Sequence, residues 1–414
     1  MLRRLQDTYH AFSRPFWTIA FGALVSSAGS SLIWPFQFIY ITRTLGLNLA
    51  TVGTLITLSS GTGLAVSFLA GTMADRFGRK PVMIAAQAAQ GCAWILMSFA
   101  HTYLGFLVAL MILASSQPVY SVGSDAMMAD LVPPEQRASG YAIMRVLNNV
   151  GIALGPAVGG IIVTRSYALA FYGAAAVLFL YGVFLQGFVR ETLPRRGAAC
   201  QGAAAADTGG YRQVARDRGF LVFTLLITLG MTGPLMFWTL MPIYTKQNFQ
   251  FPEHLYSWLP VTNALMCVFV QYFVTHWTRR YAPLAMLILG LGVYALGVGS
   301  VALMSGFWGF WTSMVIFSLG ELITMPTGTT YVANRAPVVL RGRYMSVYWL
   351  TWGCARAVAP MIGGTLNDLI SPHAIWYGGL AIGLASALAL TWFRASRAQV
   401  RVPEVEPATG AAAT

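Results

Sequence analysis

Few ionisable residues lie deep inside the long apolar segments of this chain, and each of them is a candidate for chemistry. Glu321, in the sequence FSLGELITMP, lies about midway along an apolar segment from 307 to 332. A carboxylate in this setting is costly unless it is paired or faces a wet cavity. Because protonation removes the buried charge, Glu321 could take up and release a proton. The sequence thus predicts proton coupling at Glu321.

Two arginines lie at comparable depth in other apolar segments. Arg145 lies nearly two turns into its segment, close to Asn149, and Arg356 lies near the middle of another. A guanidinium group in these positions would bind an anionic substrate or pair with an acid. The alternative role for Glu321 is therefore a permanent ion pair with Arg356. Together with Gln37 in the first apolar segment, Arg145, Asn149 and Arg356 are predicted to line a substrate cavity or to form an ion pair.

A denser group of charges occupies the sequence GTMADRFGRK, between apolar segments at 50 to 72 and 82 to 100. Each segment is about long enough to cross a bilayer as a helix. The charges then lie in a short turn at the level of the lipid headgroups, where glycine permits close helix approach and positive φ. The residues predicted to act together in this loop are Gly71, Asp75, Arg76, Gly78, Arg79 and Lys80.

The elements that position these residues are membrane helices. Hydrophobic residues make up 57% of the chain, charged residues only 9%, and the mean hydropathy is +0.63, whereas about 25% of residues are charged in soluble proteins. A water-soluble enzyme is excluded on these grounds. Long uncharged runs predict twelve spans in an all-α membrane protein, at 16–41, 50–72, 82–100, 103–127, 139–163, 167–188, 219–245, 254–277, 283–304, 307–332, 342–366 and 373–393.

The distribution of positive charge predicts the orientation. With a cytoplasmic N-terminus, 21 of the 26 lysines and arginines fall on the inner side, as the positive-inside rule requires. We therefore expect a multi-pass protein of the cytoplasmic membrane with both termini in the cytoplasm. The net charge of +13 fits a basic face on anionic lipid, not a nucleic-acid partner. The four cysteines lack the spacing of metal ligands or of a disulfide framework.

The chain also contains an internal repeat. A shift of 204 residues aligns six identical residues within 32 positions, among them Pro156 with Pro360 and Gly160 with Gly364. This repeat predicts two six-helix halves around a central site. The predicted boundaries are a first bundle at 1–189, a cytoplasmic linker at 190–218, a second bundle at 219–396 and a flexible tail at 397–414.

The loop GTMADRFGRK is similar to the signature between helices 2 and 3 of the major facilitator superfamily, Gly-x-x-x-Asp-Arg-x-Gly-Arg-Arg/Lys. Together with the twelve spans and the repeat, the resemblance covers nearly the whole chain and implies that superfamily's fold of two pseudo-symmetric six-helix bundles. A second stretch resembles a motif of its proton-coupled drug antiporters; mere helix packing is the alternative reading. The residues of this span 5 packing motif are Gly151, Gly155, Pro156, Gly159 and Gly160.

The resemblance further implies a charge relay that latches the outward-open state. Its members would be Asp75, Arg79 and an acid at the end of span 4. Asp125 matches that acid best, and Asp130 competes with it.

The resulting expectation is a secondary active transporter and not an enzyme. Proton-coupled efflux of small amphipathic compounds or drugs by alternating access is the leading hypothesis. The alternative is a proton symporter or facilitator for a polar or anionic metabolite. The expected partners are a small-molecule substrate, protons and membrane lipid, with a monomeric chain, no cofactor, no metal and no nucleic acid.

Overall fold

The computed structural model describes residues 12–133, 136–193, 209–337 and 340–398, and this part of the chain is helical with no strand. Most of the predicted linker, at 194–208, and most of the predicted tail, at 399–414, lie outside the described residues. The first six spans follow the chain in order: span 1 in two pieces (Arg14–Ser31 and Trp34–Leu45), span 2 (Leu49–Phe77), span 3 (Arg79–Phe99), span 4 (Tyr103–Leu131), span 5 (Arg137–Arg165) and span 6 (Tyr167–Phe188).

A short helix, Gly209–Arg216, precedes the second set of spans. These are span 7 (Arg218–Phe249), span 8 in three pieces (Glu253–Tyr256, Trp258–Phe269 and Gln271–Thr278), span 9 (Pro283–Ser300, followed by the 3-10 turn Val301–Leu303), span 10 (Gly306–Arg335), span 11 (Arg341–Leu369) and span 12 (Ala374–Ala398). The prediction of an all-α membrane protein is confirmed.

Ten helices of the described residues are long and apolar enough to cross a membrane, or eleven if the pieces of span 8, bent by 55°, count as one. Span 11 is the predicted span outside that set, although its helix has 29 residues. It carries Arg356 and Asp368 and packs mainly on spans 2 and 7. A helix that faces protein on several sides needs less apolar surface than one that faces lipid.

Local sequence explains where several spans begin. Asn48, Thr102 and Ser166 are N-caps whose side chains accept a hydrogen bond from the backbone N–H three residues later, which satisfies a free donor of the first turn. Gly46 ends span 1 with φ at 61°, a left-handed conformation that glycine adopts without strain.

The glycines of span 5 pack within the first half. Added Cβ atoms on Gly151, Gly155 and Gly159 would overlap the backbone of span 1, and Gly159 lies against the carbonyl of Leu32. At the repeated position in the second half, Gly363 lies against side chains of span 7. Both halves therefore bring their first and fifth helices together through a glycine.

The next glycine of each repeat faces the other half. A Cβ on Gly160 would come within 2.7 Å of the Ser257 side chain in span 8, and one on Gly364 within 2.6 Å of the Ala50 nitrogen in span 2. The pseudo-symmetry of the sequence is thus repeated in the contacts between spans 5 and 8 and between spans 11 and 2.

These contacts lie toward one end of the bundle. We call the end that holds Gly46, Ser166 and Pro252 the far side, and the end that holds Gly78, Glu191 and Asp217 the linker side. Five of the seven buried residues of span 2 lie in its far-side part, from Leu49 to Ser59. The two halves are therefore closely packed at the far side and more exposed toward the linker side.

Candidate functional site

Glu321 lies near the middle of span 10 and is half-buried. Its Oε2 accepts a hydrogen bond of 2.9 Å from Nδ2 of Asn263 in span 8, and the same amide donates to Ser318 Oγ at 3.0 Å. Ser318 in turn donates to the backbone carbonyl of Met314. The amide uses both of its hydrogens, so one buried asparagine fixes the position of the carboxylate.

Arg145 belongs to the opposite half and interacts electrostatically with Glu321. Among the described residues, no ion pair includes Glu321, Arg145 or Arg356. The charge of Arg145 thus acts on Glu321 from the other half, and the permanent pair with Arg356 that the sequence left open does not form in the structure.

The remaining polar residues predicted for the cavity are less connected. Gln37 and Asn149 are half-buried and form no side-chain hydrogen bond within the described residues, whereas Arg356 is exposed in the isolated chain. The neighbouring Asn148 accepts a hydrogen bond from Ser27 Oγ and so joins span 5 to span 1. The sequence predicted Asn149 as the cavity residue, whereas the hydrogen bond that joins spans 5 and 1 belongs to Asn148.

Aromatic side chains cover the space on the far side of this cluster. Trp34 of span 1 and Trp238 of span 7 approach across the two halves with ring centroids 5.8 Å apart. Trp238 also contacts Phe317 at 5.6 Å, and Phe317 stacks on Phe237 at 4.1 Å. These rings bring apolar surface to the interface between the halves, where an amphipathic ligand would find both rings and charges.

The loop between spans 2 and 3 forms a charge network on the linker side. Arg79 contacts Asp75 at 3.1 Å and Asp130 at 3.3 Å. Asp125, the acid that the resemblance favours, is exposed and takes no part in the ion pairs of the described residues. The two acids are five positions apart, which at about 100° per residue places them on different faces of span 4. The acid that contacts Arg79 is therefore Asp130.

Sequence reasoning missed a further member of this network, Glu191. Its carboxylate accepts from the backbone N–H groups of Arg79 at 3.1 Å and Lys80 at 3.0 Å, at the start of span 3. It also accepts from the N–H groups of Thr192 and Leu193. Glu191 follows Arg190 directly after span 6, and an acid in that place could have suggested a cap for a neighbouring helix.

The segment around Glu191 makes two more contacts with the loop. Lys80 Nζ donates to the Gln186 carbonyl at 2.8 Å, and Thr192 Oγ1 donates to Asp130 at 2.8 Å. The chain that leaves span 6 is therefore bound to the loop between spans 2 and 3 and to the end of span 4.

The second half has a separate ion pair at the linker side. Arg335 at the end of span 10 contacts both carboxylate oxygens of Asp217 at 2.6 and 2.8 Å, and the Tyr344 hydroxyl donates to the same group at 3.2 Å. Burial works against the ionised carboxylate, but the hydrogen bonds from Arg335 and from the Phe220 N–H prevail and lower the pKa of Asp217. These contacts join the linker-side ends of spans 7, 10 and 11.

The comparisons with known proteins agree with this architecture. The sequence profile described as Major Facilitator Superfamily matches residues 19–246 and 220–413. The chain belongs to the major facilitator superfamily. It is a transporter of that superfamily and not an enzyme.

Its similarity to individual members is distant. It is 24% identical over 376 residues to a protein of Planococcus maritimus named Na(+), Li(+), K(+)/H(+) antiporter, a match that covers 84% of this chain and 86% of that protein. It is 23% identical over 382 residues to multidrug resistance protein MdtH of Escherichia coli (strain K12 / DH10B), covering 91% of this chain and 93% of that protein.

Solved structures share the fold. The nucleoside transporter NupG superposes with a TM-score of 0.74 at 13% identity, over 92% of this chain and 99% of that one. A bacterial homologue of the human lysosomal transporter Spinster, in an inward-facing and unoccupied conformation, superposes with a TM-score of 0.73 at 14% identity, over 94% and 97% of the two chains.

Proposed function

We propose that this transporter is a proton-driven antiporter that exports small amphipathic compounds by alternating access. The observation that carries the proposal is the position of Glu321. This carboxylate lies near the middle of its span, is held by Asn263 and interacts electrostatically with Arg145 of the opposite half. A change in its charge alters the attraction between the halves, which is the requirement for coupling protonation to their relative movement.

The coupling would follow from competition at the carboxylate. Ionised Glu321 accepts the Asn263 hydrogen bond and attracts Arg145 or a positively charged part of a substrate. Protonation neutralises the carboxylate and removes that attraction, so a bound proton and a bound cationic substrate exclude one another. Because the proton and the substrate cannot be bound together, they cross the membrane in opposite directions. The antiporter and multidrug names of the relatives support the same class of transport.

We infer further that the linker side faces the cytoplasm and that the protein lies in the cytoplasmic membrane with both termini inside. The support is the excess of arginine and lysine on the loops of that side. In this orientation the structure corresponds to a state closed toward the exterior. The network of Asp75, Arg79 and Asp130 then lies at the cytoplasmic end, where it positions the loop between spans 2 and 3 within the first half.

Purified protein in proteoliposomes with an imposed pH gradient tests the proposal. A panel of fluorescent or radiolabelled amphipathic compounds is offered at both polarities of the gradient. Antiport predicts that a transported compound accumulates in the acidic compartment and that the Glu321→Gln variant does not accumulate it. Accumulation in the alkaline compartment would refute antiport.

A second candidate, symport of an organic anion with protons, is favoured by a specific observation. Arg145 and Arg356 take part in no ion pair of the described residues. An anion bound to Arg145 would compete with ionised Glu321 and so favour its protonation, and proton and anion would then move together. The same experiment decides, because symport accumulates the compound away from the acidic compartment.

A further inference from the structure

The far-side end of span 11 reaches across the interface to the first turn of span 2. Asp368 Oδ2 accepts a hydrogen bond of 2.8 Å from the backbone N–H of Ala50. The other carboxylate oxygen accepts from the side chain of the adjacent Asn367 at 2.9 Å. One carboxylate of the second half is thus directed at a backbone donor of the first half.

The donor is one that span 2 cannot satisfy by itself. Asn48, the N-cap of span 2, accepts from the Thr51 N–H, while the Ala50 N–H precedes the residues that have an intrahelical acceptor. Asp368 therefore completes the cap of a helix in the opposite half. The partial positive charge of a helix N-terminus favours a carboxylate in this place.

The surrounding contacts permit this approach. Gly364 lies against the Ala50 backbone, and Gly53 of span 2 lies against the Pro360 carbonyl of span 11. Farther along the same interface, Thr57 Oγ1 donates to the Ala357 carbonyl at 2.5 Å. Spans 2 and 11 are thus in backbone contact along their far-side parts.

The opposite end of span 2 differs. Asp75 contacts Arg79 of its own half, and its side chain is 73% exposed. Span 2 therefore has a carboxylate partner from span 11 at the far side, whereas its own acid at the linker side does not cross to the second half.

We propose that Asp368 is a positioning residue that holds the two halves closed at the far side by capping the N-terminus of span 2. In a cycle of alternating access this contact breaks each time the far side opens. Its loss shifts the equilibrium between the two states toward the far-side-open one. The proposal depends on alternating access and is independent of proton coupling and of the transported compound.

Distance measurements on spin-labelled full-length protein test it. Labels at positions 104 and 303, where Leu104 and Leu303 are exposed near the far-side ends of spans 4 and 9, report opening in a background without the native cysteines. Asp368→Asn should raise the ratio of far-side-open to far-side-closed molecules by about twofold to fivefold, the range of a charge at a helix N-terminus. Asp368→Lys should raise it further. Higher ionic strength should reduce the difference between wild type and Asp368→Asn.

Thr365→Val provides the matched control. Thr365 lies one turn earlier on span 11 and its hydroxyl donates within its own helix, to Met361, so this change should leave the distance distribution as in the wild type. Asp75→Asn should not increase far-side opening. If Asp368→Asn gives the same distribution as Thr365→Val, the proposal is wrong, and this outcome would leave the proposed antiport untouched. If the Asp368→Lys variant does not fold, the comparison of Asp368→Asn with Thr365→Val decides.

Discussion

Glu321 on span 10 and Arg145 on span 5 interact electrostatically across the boundary between the two halves, although no ion pair joins them. The hydrogen bond to Glu321 comes from a neutral residue, Asn263. The carboxylate can therefore change charge without leaving a broken ion pair behind. This arrangement differs from a permanent structural pair.

Glu321→Gln should retain downhill exchange of substrate and lose accumulation driven by a pH gradient, because glutamine resembles the protonated acid and still accepts from Asn263. Its thermal stability should stay close to that of the wild type. A permanent pair with Arg356 predicts instead a loss of about 3–5 kcal/mol and restored stability in the double variant with Arg356→Gln. Gradient-driven accumulation by the single variant, with normal pH dependence, would remove Glu321 from the coupling mechanism.

The two acids of span 4 should differ in effect. Asp130→Asn removes the contact with Arg79 and weakens the one with Thr192, so transport should fall severalfold at matched protein levels. The loss of stability should stay below about 1 kcal/mol, as for other partly exposed ion pairs. Asp125→Asn is the control and should transport normally. If Asp125→Asn impaired transport more than Asp130→Asn, Asp125 and not Asp130 would be the acid that acts in this network.

Gly160 should tolerate no side chain in the far-side-closed state. Gly160→Ala places a methyl group within 2.7 Å of Ser257, and overpacking of this kind typically costs about 1–3 kcal/mol. Far-side opening should therefore increase in the spin-label measurement. Gly173→Ala, at a position with no atom within 4 Å of an added Cβ, controls for the loss of glycine itself. Equal behaviour of the two variants would rule out Gly160 as an inter-half contact.

The contact between Asp217 and Arg335 should make stability depend on pH. Its lowered pKa means that the folded state favours the ionised carboxylate, so the stabilisation is complete above the unfolded value of about 3.9 and is lost as pH falls through the lower folded value. Asp217→Asn should lower stability near neutral pH by roughly 1 kcal/mol and by less near pH 3. Thermal unfolding in detergent at both pH values measures this, and a pH-independent difference would contradict it.

The apolar runs were enough to predict the helical fold, since a bilayer requires long uncharged helices and glycine marks their close approaches. The apolar runs did not show where the helices of spans 1 and 8 are interrupted. Span 1 is broken between Ser31 and Trp34, with Pro35 at the start of the second piece, and span 8 is bent near Val270, where the sequence has neither proline nor glycine. A hydropathy pattern does not encode a bend of this kind.

The candidate site was predictable in its residue types and less so in its pairings. The sequence placed Glu321 and Arg145 in spans of different halves, but depth along a helix does not specify which side chain a charge will face. Asn263 was missed because it is a neutral residue within an apolar span, and Glu191 because its position among the basic residues after span 6 does not indicate its partner. Their roles depend on contacts between residues 58 and about 110 positions apart.

The repeat of 204 residues has kept two glycine contacts between helices and changed the charges. Gly160 and Gly364 occupy equivalent places and each meets the other half, whereas Glu321 corresponds to Gln117 and Arg145 to Trp349. The two copies thus share the glycines of some helix contacts, while Gly151 and Gly155 correspond to Ala355 and Ala359 and the charges inside the spans differ. A lineage built in this way can acquire a new cargo by exchanging a few interior side chains while its moving parts stay as they were.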